Sequence, residues 1–480
     1  MTPVVPSRPD SRLPALAAGL LVLFLGINLL TIARFPIVWG DEVMFTEPAA
    51  NLAFHGRFIS RVWFFDYEGD LWAGNAPLYS LLLAGWLKLF GLSITAVRAF
   101  GLVQTTTGVV ALTWALRRTA LLRGTWPTIA YAAVLLLSYG ISINYRSGRY
   151  DGTGIMLCGL AALFATIRAP MARAAALFAT GLLIVPAGVH LAVFAGLAGV
   201  VALIVFGWRS LRATLPFGLG VAAGGGLFAL ILWRLGALGH FLHSAAELRH
   251  LLGAITPRDP SFYLLALAAA VAAIGLRHDG PGRSWPRYAV ALAAATFAAF
   301  ILLGHFPNYY TWMAVAPLTW LAIAPFDRPR VDRGDRRPAR LAVTGLLVLA
   351  ALAGLPLQLA SALLFDRDYA PVERYVAAHV GAEDVAMVDP SAWYAVWPIA
   401  AKTYSIEYDK SLTLMTQPER DRVSVLVIRP DQLIYAVRRL GPRWRQVACL
   451  CAAPPFPRFA HGRGGKLMQG YELAVYRRAP

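Results

Sequence analysis

Long apolar runs recur along most of this 480-residue chain, and they constrain its fold more than any other feature. Most are about 17–22 residues long, the length that an α-helix needs to cross the hydrocarbon core of a bilayer. The composition agrees, because 58% of the residues are hydrophobic and only 15% are charged. A soluble domain carries about 25% charged residues. The sequence therefore predicts an α-helical polytopic membrane protein.

Arginine clusters between the apolar runs predict the orientation of the chain. Basic residues accumulate in the cytoplasmic loops of membrane proteins, next to anionic lipid. This explains the net charge of +18 without a nucleic-acid partner. The loops that we assign to the cytoplasm are Arg117 to Arg123, Arg168 to Arg173, Arg209 to Arg212, Arg277 to Arg287 and Asp327 to Arg340.

The alternation of basic and less basic loops predicts eleven membrane spans. They cover residues 13–35, 95–116, 128–145, 152–168, 174–187, 189–207, 214–234, 261–276, 288–304, 310–326 and 341–363. The long apolar run at 174–207 is divided because Pro186 and the polar His190 interrupt it. We expect His190 to satisfy backbone groups of the broken helix.

One apolar stretch, Pro77 to Phe90, is too short to count as a span. Its 14 residues would extend about 21 Å as a helix, less than the roughly 30 Å hydrocarbon core. Trp86 and Lys88 within it are typical of the membrane interface. We expect a surface helix in an outer loop over residues 36–94, with a further short helix near Glu42 to His55.

The composition changes after Phe365, and residues 366–480 have the charge content of a small soluble α/β domain. Short apolar runs predict strands at 385–388, 423–428 and 473–476, and helices are expected at 372–379 and 432–440. An odd number of spans puts this domain outside, after a membrane domain of residues 1–365. Cys449 and Cys451 are too close in sequence for a favourable mutual disulfide.

The outer loops contain most of the polar residues that suit catalysis. Asp41 and Glu42 directly follow the first span, and a carboxylate there can polarise an attacking hydroxyl. Arginines in a later outer loop suit a phosphate, because the planar guanidinium binds phosphate oxygens in pairs. The candidates in the later outer loops are Arg146, Arg149, Asp151, His305, Tyr309 and Tyr310, and Asn75 in the first outer loop is a further candidate for substrate binding.

The chain contains, in this order, Trp39-Gly40-Asp41-Glu42, Pro77-Leu78-Tyr79 with Leu89-Phe90-Gly91, Arg98, Asp151, and Tyr309-Tyr310 with Pro317. This pattern resembles a known family, the polyprenyl-phosphate-dependent glycosyltransferases of GT-C fold. The family includes the protein O-mannosyltransferases and the lipid A aminoarabinose transferases. The resemblance covers roughly residues 15–330, and the acidic pair is its most specific part.

The resemblance implies an inverting transfer of a sugar from a polyprenyl-phosphate donor to an acceptor hydroxyl at the outer face of the cytoplasmic membrane. The acceptor would be a glycolipid, a polysaccharide or a protein. Asp41 would be the base, with Glu42 and Asp151 as further catalytic carboxylates, and Arg146 or Arg149 would stabilise the leaving phosphate. Asn75-Ala76 departs from the aminoarabinose transferases, which carry a lysine before the Pro-Leu motif, so that exact substrate is disfavoured.

Structural roles compete with these assignments. Asp41 and Glu42 also suit a helix N-terminus through the helix dipole, and Arg146, Arg149 and Asp151 also suit a surface ion cluster. Four residues, His240, His243, Glu247 and His250, share a helix face, but they lack a recognised metal-ligand spacing and fit lipid headgroups better. The tryptophans Trp39, Trp63 and Trp72 suit interface anchors.

Two other function classes also remain open. A transporter or lipid-linked sugar flippase would use the charged groups for translocation, although transporters keep them near the midplane and often show repeated halves. A membrane scaffold would use the C-terminal domain to bind a partner. No ligand pattern demands a metal, and the resemblance leaves a divalent cation as an option.

Overall fold

The structure is a computed structural model, and it describes residues 12–62, 71–72, 74, 77–243, 246, 256–275, 284–327, 337–365, 367–406, 415–451 and 470–479. The helices before the sheet domain are α1 (Arg12–Thr31), α2 (Gly40–His55), α3 (Pro77–Phe90), α4 (Ile94–Arg118), α5 (Thr125–Leu137), α6 (Tyr139–Arg146), α7 (Asp151–Phe164), α8 (Pro170–Leu182), α9 (Ile184–Ala187), α10 (Val189–Phe206), α11 (Arg209–Arg234), α12 (Pro260–Gly275), α13 (Ser284–Leu302), α14 (Trp312–Ile323), α15 (Arg337–Leu352) and α16 (Leu355–Leu364).

Six helices of the described chain are long and apolar enough to cross a membrane, so the protein is an integral membrane protein. The number rises to seven if α5 and α6, which meet at an angle of 57°, form one broken span. Three further apolar helices, α3, α7 and α12, are shorter. The predicted number of eleven spans is therefore not confirmed.

Three local predictions for this region match the structure. The short helix α3 begins at Pro77 and ends at Phe90, and α2 occupies the predicted position near Glu42 to His55. The long apolar run breaks where Pro186 and His190 predicted, because α9 ends at Ala187 and α10 begins at Val189. Gly188 joins them with a φ of +156°.

Close glycine contacts bring α4 and α7 together. A Cβ atom on Gly108 of α4 would lie only 2.4 Å from the backbone oxygen of Ile155, and one on Gly159 of α7 would lie 2.0 Å from the oxygen of Gly108. Small residues let helix backbones approach closely where lipid supplies no hydrophobic driving force. This packing fixes the position of α7 and therefore of Asp151 at its first residue.

The two ends of α4 mark opposite ends of the helical bundle. Arg98, near its start, pairs with Glu42, whereas the chain after its last residue meets Asp327, which accepts hydrogen bonds from the backbone amides of Arg123 and Gly124. A helix of 25 residues is about 37 Å long. The arginine-rich loops that begin at Arg117 and at Asp327 thus start far from the acidic pair.

A five-stranded sheet follows the last helix of the bundle, in the strand order β2-β1-β3-β5-β4. Its strands are β1 (Val385–Val388), β2 (Lys402–Ser405), β3 (Val425–Ile428), β4 (Trp444–Leu450) and β5 (Leu473–Arg478). Its helices are α17 (Ala370–Ala377), α18 (Trp393–Val396), α19 (Gln417–Arg422) and α20 (Leu433–Leu440). Strand β1 pairs in parallel with β2 and β3, while β5 runs antiparallel to β3 and β4.

The three apolar runs predicted as strands correspond to β1, β3 and β5. The sequence missed β2 because it is short and mixed, and β4 because much of it is exposed. The structure also joins Cys449 and Cys451 in a disulfide, so the expectation that their spacing disfavours one is wrong.

The sheet domain packs directly on α2. One hydrophobic core contains Val43 and Phe45 of α2 together with Trp393, Val425 and Val475 of the sheet domain. The backbone amide of Val38 donates to the hydroxyl oxygen of Tyr471 over 3.3 Å. The sheet domain therefore lies at the same end of the bundle as the acidic pair.

Candidate active site

Asp41 and Glu42 lie in the first turn of α2, and their two carboxylates have different surroundings. Adjacent residues of an α-helix point about 100° apart. The Asp41 side chain keeps 25% of its surface exposed, whereas the Glu42 side chain is fully buried. Trp39, the residue before the helix, is extended and offers no side-chain cap.

Glu42 is committed to a buried ion pair with Arg98 of α4. The guanidinium donates to both carboxylate oxygens, from Nε over 2.9 Å and from Nη2 over 2.6 Å. The remaining nitrogen of Arg98 donates to the backbone oxygens of Ile32 and Pro36. This pair links three segments, the end of α1, the start of α2 and α4, so its geometry supports the structural role that competes for Glu42.

Asp41 instead pairs with Arg149. The Nη1 atom of Arg149 contacts an Asp41 oxygen directly, and Nε donates to Asp151 over 3.0 Å. The guanidinium also lies over the Tyr309 ring, 3.4 Å from its centroid. Arg149 and Asp151 are buried, and a buried charge needs a paired counter-charge. Arg149 thus bridges two of the predicted catalytic carboxylates.

The charges of this cluster do not cancel. Asp41 and Asp151 together carry two negative charges when ionised, and Arg149 carries one positive charge. Arg149 remains protonated under all ordinary conditions. A guanidinium shared between two carboxylates holds each of them less tightly than an exclusive pair would, so one partner can be exchanged for another anion.

The second predicted arginine, Arg146, has different partners. It donates to the side-chain oxygen of Asn28 over 2.8 Å, to the backbone oxygen of Thr31 over 2.7 Å and to that of Phe35 over 3.3 Å. Its side chain thus satisfies backbone groups at the C-terminal end of α1. The structure separates the two arginines, and only Arg149 contacts Asp41.

His305, Tyr309 and Tyr310 lie on the loop between α13 and α14, beside this cluster. The Tyr310 hydroxyl is 2.8 Å from that of Tyr150, and the ring of His305 meets the Tyr310 ring edge-on at 5.6 Å. Burial and the nearby Arg149 charge lower the pKa of His305 to about 4. His305 is therefore neutral near pH 7, which suits hydrogen bonding and not charge pairing with phosphate.

The backbone of this loop is held by two polar anchors. The amide of Asn144 donates to the oxygen of Tyr309 over 2.9 Å. The buried carboxylate of Asp259 accepts the Thr311 hydroxyl over 2.6 Å. These contacts fix the ring of Tyr309 against Arg149.

Sequence reasoning missed several parts of the site. His190 was expected to satisfy helix backbone, but its ring stacks on Tyr310 with centroids 4.4 Å apart. Trp39 was expected to be an interface anchor, yet the Arg149 guanidinium lies 5.6 Å from its ring centroid. A polar residue beside a helix-breaking proline was the only sequence signal for His190, and nothing marked Trp39 as a partner of arginine.

Some candidates fall outside the described residues. Asn75, Trp63, Glu247 and His250 are among them. In the part of the chain that is described, no three His, Cys, Asp or Glu side chains cluster as metal ligands.

Among known proteins, the chain is matched by solved structures. No protein-family model matches the chain, and no curated protein matches it. The structure of ArnT from Cupriavidus metallidurans bound to undecaprenyl phosphate aligns with a TM-score of 0.63 and 16% sequence identity, over 96% of this chain and 98% of that chain. The apo state of ArnT from the same organism gives a TM-score of 0.61 with the same identity and coverage. The chain has the ArnT fold.

The ArnT fold confirms the predicted fold class. The chain is a GT-C-like helical membrane protein with a small C-terminal sheet, as the resemblance to lipid A aminoarabinose transferases implied. The match spans nearly the full length of both chains, so it includes both the helical bundle and the sheet domain. The identity of 16% limits what it carries to the fold.

Proposed function

We propose that this protein is a membrane glycosyltransferase that moves a sugar from a polyprenyl-phosphate donor to an acceptor hydroxyl. The observation that carries the proposal is Arg149, a buried arginine shared between Asp41 and Asp151. It occurs in a fold that ArnT also has, and ArnT was solved with undecaprenyl phosphate bound. A lipid phosphate and a sugar acceptor need the two groups that this cluster combines, a cation and a base.

Asp41 is the base in this proposal. It is the more exposed member of the acidic pair, whereas Glu42 is occupied by Arg98. Asp41 takes the proton of the acceptor hydroxyl as the oxygen attacks the anomeric carbon. The bond from that carbon to the phosphate oxygen breaks, and the phosphate leaves with the bonding electrons. Attack on the face opposite the phosphate inverts the anomeric centre.

Arg149 is the phosphate-binding residue in this proposal. Its Nη1 atom contacts Asp41. The donor is a phosphodiester with one negative charge, like a carboxylate, and its two unesterified oxygens match the guanidinium fork. Its negative charge increases as the bond to the sugar breaks, which strengthens its pairing with Arg149. The phosphate therefore displaces Asp41 from Arg149, which frees the Asp41 carboxylate to accept a proton. Donor binding would in this way activate the base, while Asp151 keeps Arg149 oriented through Nε.

The site would face the extracytoplasmic side of the cytoplasmic membrane. Two observations support this side. The acidic pair and the sheet domain of residues 366–480 meet at one end of the bundle. Two arginine-rich loops meet near the other end, where Asp327 binds Arg123 and Gly124, and arginine-rich loops favour the cytoplasm.

The test uses membranes that contain the full chain and radiolabelled undecaprenyl-phosphate-linked sugars. Label recovered in glycolipid, polysaccharide or protein would identify the acceptor class. Asp41→Asn should lower the transfer rate by about 10²–10⁴-fold, the usual contribution of a general base. Asp431→Asn is the matched control, since that side chain is 74% exposed on the sheet domain.

Two results would contradict the proposal. One is an Asp41→Asn variant that transfers sugar at the parent rate. The other is movement of the labelled lipid across sealed vesicles by the parent protein without any glycosylated product, which would favour the transporter or flippase alternative.

A further inference from the structure

His190 reaches the site because the helix breaks just before it. Gly188 connects α9 to α10 with a φ of +156°, and a Cβ atom there would lie 2.5 Å from Cε1 of His190. A side chain at position 188 would therefore collide with the imidazole. The break turns the second residue of α10 inward, so the His190 side chain is only 7% exposed.

The imidazole lies between a carboxylate and an aromatic ring. Its Nε2 atom is 3.4 Å from Oδ1 of Asp151. Its plane is nearly parallel to the Tyr310 ring, with an angle of 9° and a centroid distance of 4.4 Å. The Tyr150 ring meets it edge-on at 5.4 Å. Among the described residues neither imidazole nitrogen forms a hydrogen bond that meets the standard geometry, and Nε2 makes its ionic contact with Asp151.

Asp151 therefore connects His190 to Arg149. One carboxylate oxygen faces the imidazole, and the other accepts the Nε–H of Arg149. A carboxylate with one free oxygen can rotate about its χ2 bond, which is a soft torsion. Contact with His190 on one side restrains that rotation and holds the other oxygen toward Arg149.

We propose that His190 is a positioning residue for the lipid phosphate, acting through Asp151 on Arg149. This inference rests on the proposed function, since it assigns the phosphate to Arg149. His190 does not touch the phosphate. His190 orients the Asp151 carboxylate. That carboxylate keeps the Arg149 guanidinium in place once the phosphate has displaced Asp41. Loss of the imidazole donor should weaken phosphate binding while the protein stays folded.

The test measures binding of undecaprenyl phosphate to the purified full-length protein in lipid nanodiscs. His190→Phe keeps a ring against Tyr310 but removes the nitrogen that faces Asp151. His190→Gln removes the ring but keeps an N–H donor of similar reach. We expect His190→Phe to raise the Kd about tenfold, equivalent to about 1.4 kcal/mol, and His190→Gln to stay within about twofold of the parent.

A double-mutant cycle then separates this route from a general packing effect. If His190 acts through Asp151, its removal should cost nothing further once Asp151→Asn is present, because residues in one network are not additive. His55→Gln is the matched control. That histidine is exposed and contacts Trp397 of the sheet domain, with ring centroids 5.3 Å apart.

The outcomes distinguish the two proposals. A parent protein that does not bind undecaprenyl phosphate would overturn the proposed function. A parent that binds it, with His190→Phe equally tight, would overturn the role of His190 alone. Equal weakening by Phe and Gln, or additive effects with Asp151→Asn, would also overturn it, because packing would then explain the loss.

Discussion

The hydroxyl of Tyr394, in the sheet domain, donates a hydrogen bond to Glu42 over 3.3 Å. The two residues are 352 positions apart in the sequence. Glu42 is next to Asp41 on α2 and is already held by both nitrogens of the Arg98 fork. The sheet domain thus contributes to the support of the helix that carries the proposed base.

Tyr394→Phe should therefore reduce transfer partially while the protein remains folded. The substitution removes the hydrogen bond to the charged Glu42, which costs about 1.5–3 kcal/mol when fully formed and less at this length. It also removes the 3.4 Å hydrogen bond between the Tyr394 and Thr46 hydroxyls. The measurement is the initial rate of sugar transfer together with the thermal midpoint in detergent. Tyr435→Phe is the control, since Tyr435 is 43% exposed on the same domain. Identical rates for all three proteins would show that the contact is dispensable.

Glu42→Gln should destabilise the protein far more than Asp41→Asn does. It leaves the Arg98 guanidinium, which is fully buried, without its counter-charge, and breaking a buried ion pair costs about 3–5 kcal/mol. Asp41 is partly exposed, so its loss should change stability by about 1 kcal/mol or less. Thermal unfolding of the two variants in the same detergent compares them. Similar midpoints would contradict the division of roles between the two carboxylates.

Gly108→Ala should weaken the contact between α4 and α7. A Cβ atom at this position would lie 2.4 Å from the Ile155 backbone oxygen, and overpacking typically costs about 1–3 kcal/mol. Gly85→Ala is the matched control, because that helical glycine has open space around it and alanine favours helix by about 0.5–1 kcal/mol. The yield of folded protein and its midpoint should fall for the first variant and hold or rise for the second. The reverse order would argue against close helix contact.

The Asp384–Arg477 pair should give the sheet domain an acid-sensitive contribution to stability. Burial raises the pKa of Asp384, but hydrogen bonds from Arg477, Gly381 and Ser424 outweigh it and leave the pKa below its ordinary value. A lowered folded-state pKa stabilises the fold above the unfolded pKa of about 3.9, and the effect is lost as pH falls through the folded value. Asp384→Asn should therefore lower the midpoint equally from about pH 8 to pH 5.

Below about pH 4 the parent and Asp384→Asn should converge. The measurement is the difference between their thermal midpoints across this range. Arg477→Gln should reproduce the pattern, since Arg477 donates to both Asp384 oxygens over 3.0 and 2.9 Å. A difference that grows as the pH falls would have the wrong sign for this pair.

Local pattern was enough to predict part of the elements of this fold. The length of each apolar run, the tryptophan and lysine near the end of one of them, and the arginine clusters are properties of neighbouring residues. They predicted α3 with both of its ends, the break before His190 and three of the strands. Edge and mixed strands such as β4 carry a weaker pattern, because a half-exposed strand needs few apolar residues.

The partners of chemically similar side chains were decided by tertiary structure. Asp41 and Glu42 are adjacent carboxylates, and Arg146 and Arg149 are arginines three positions apart. Only the family resemblance favoured Asp41 over Glu42, and nothing in the sequence ranked the two arginines. Packing of α4 places Arg98 against Glu42 as a buried partner, and Arg146 hydrogen-bonds to the end of α1. Asp41 and Arg149 form an ion pair with each other. The sequence predicted that these groups lie close together at one end of the bundle, and the helix contacts decided which of them have buried structural partners and which of them pair with each other.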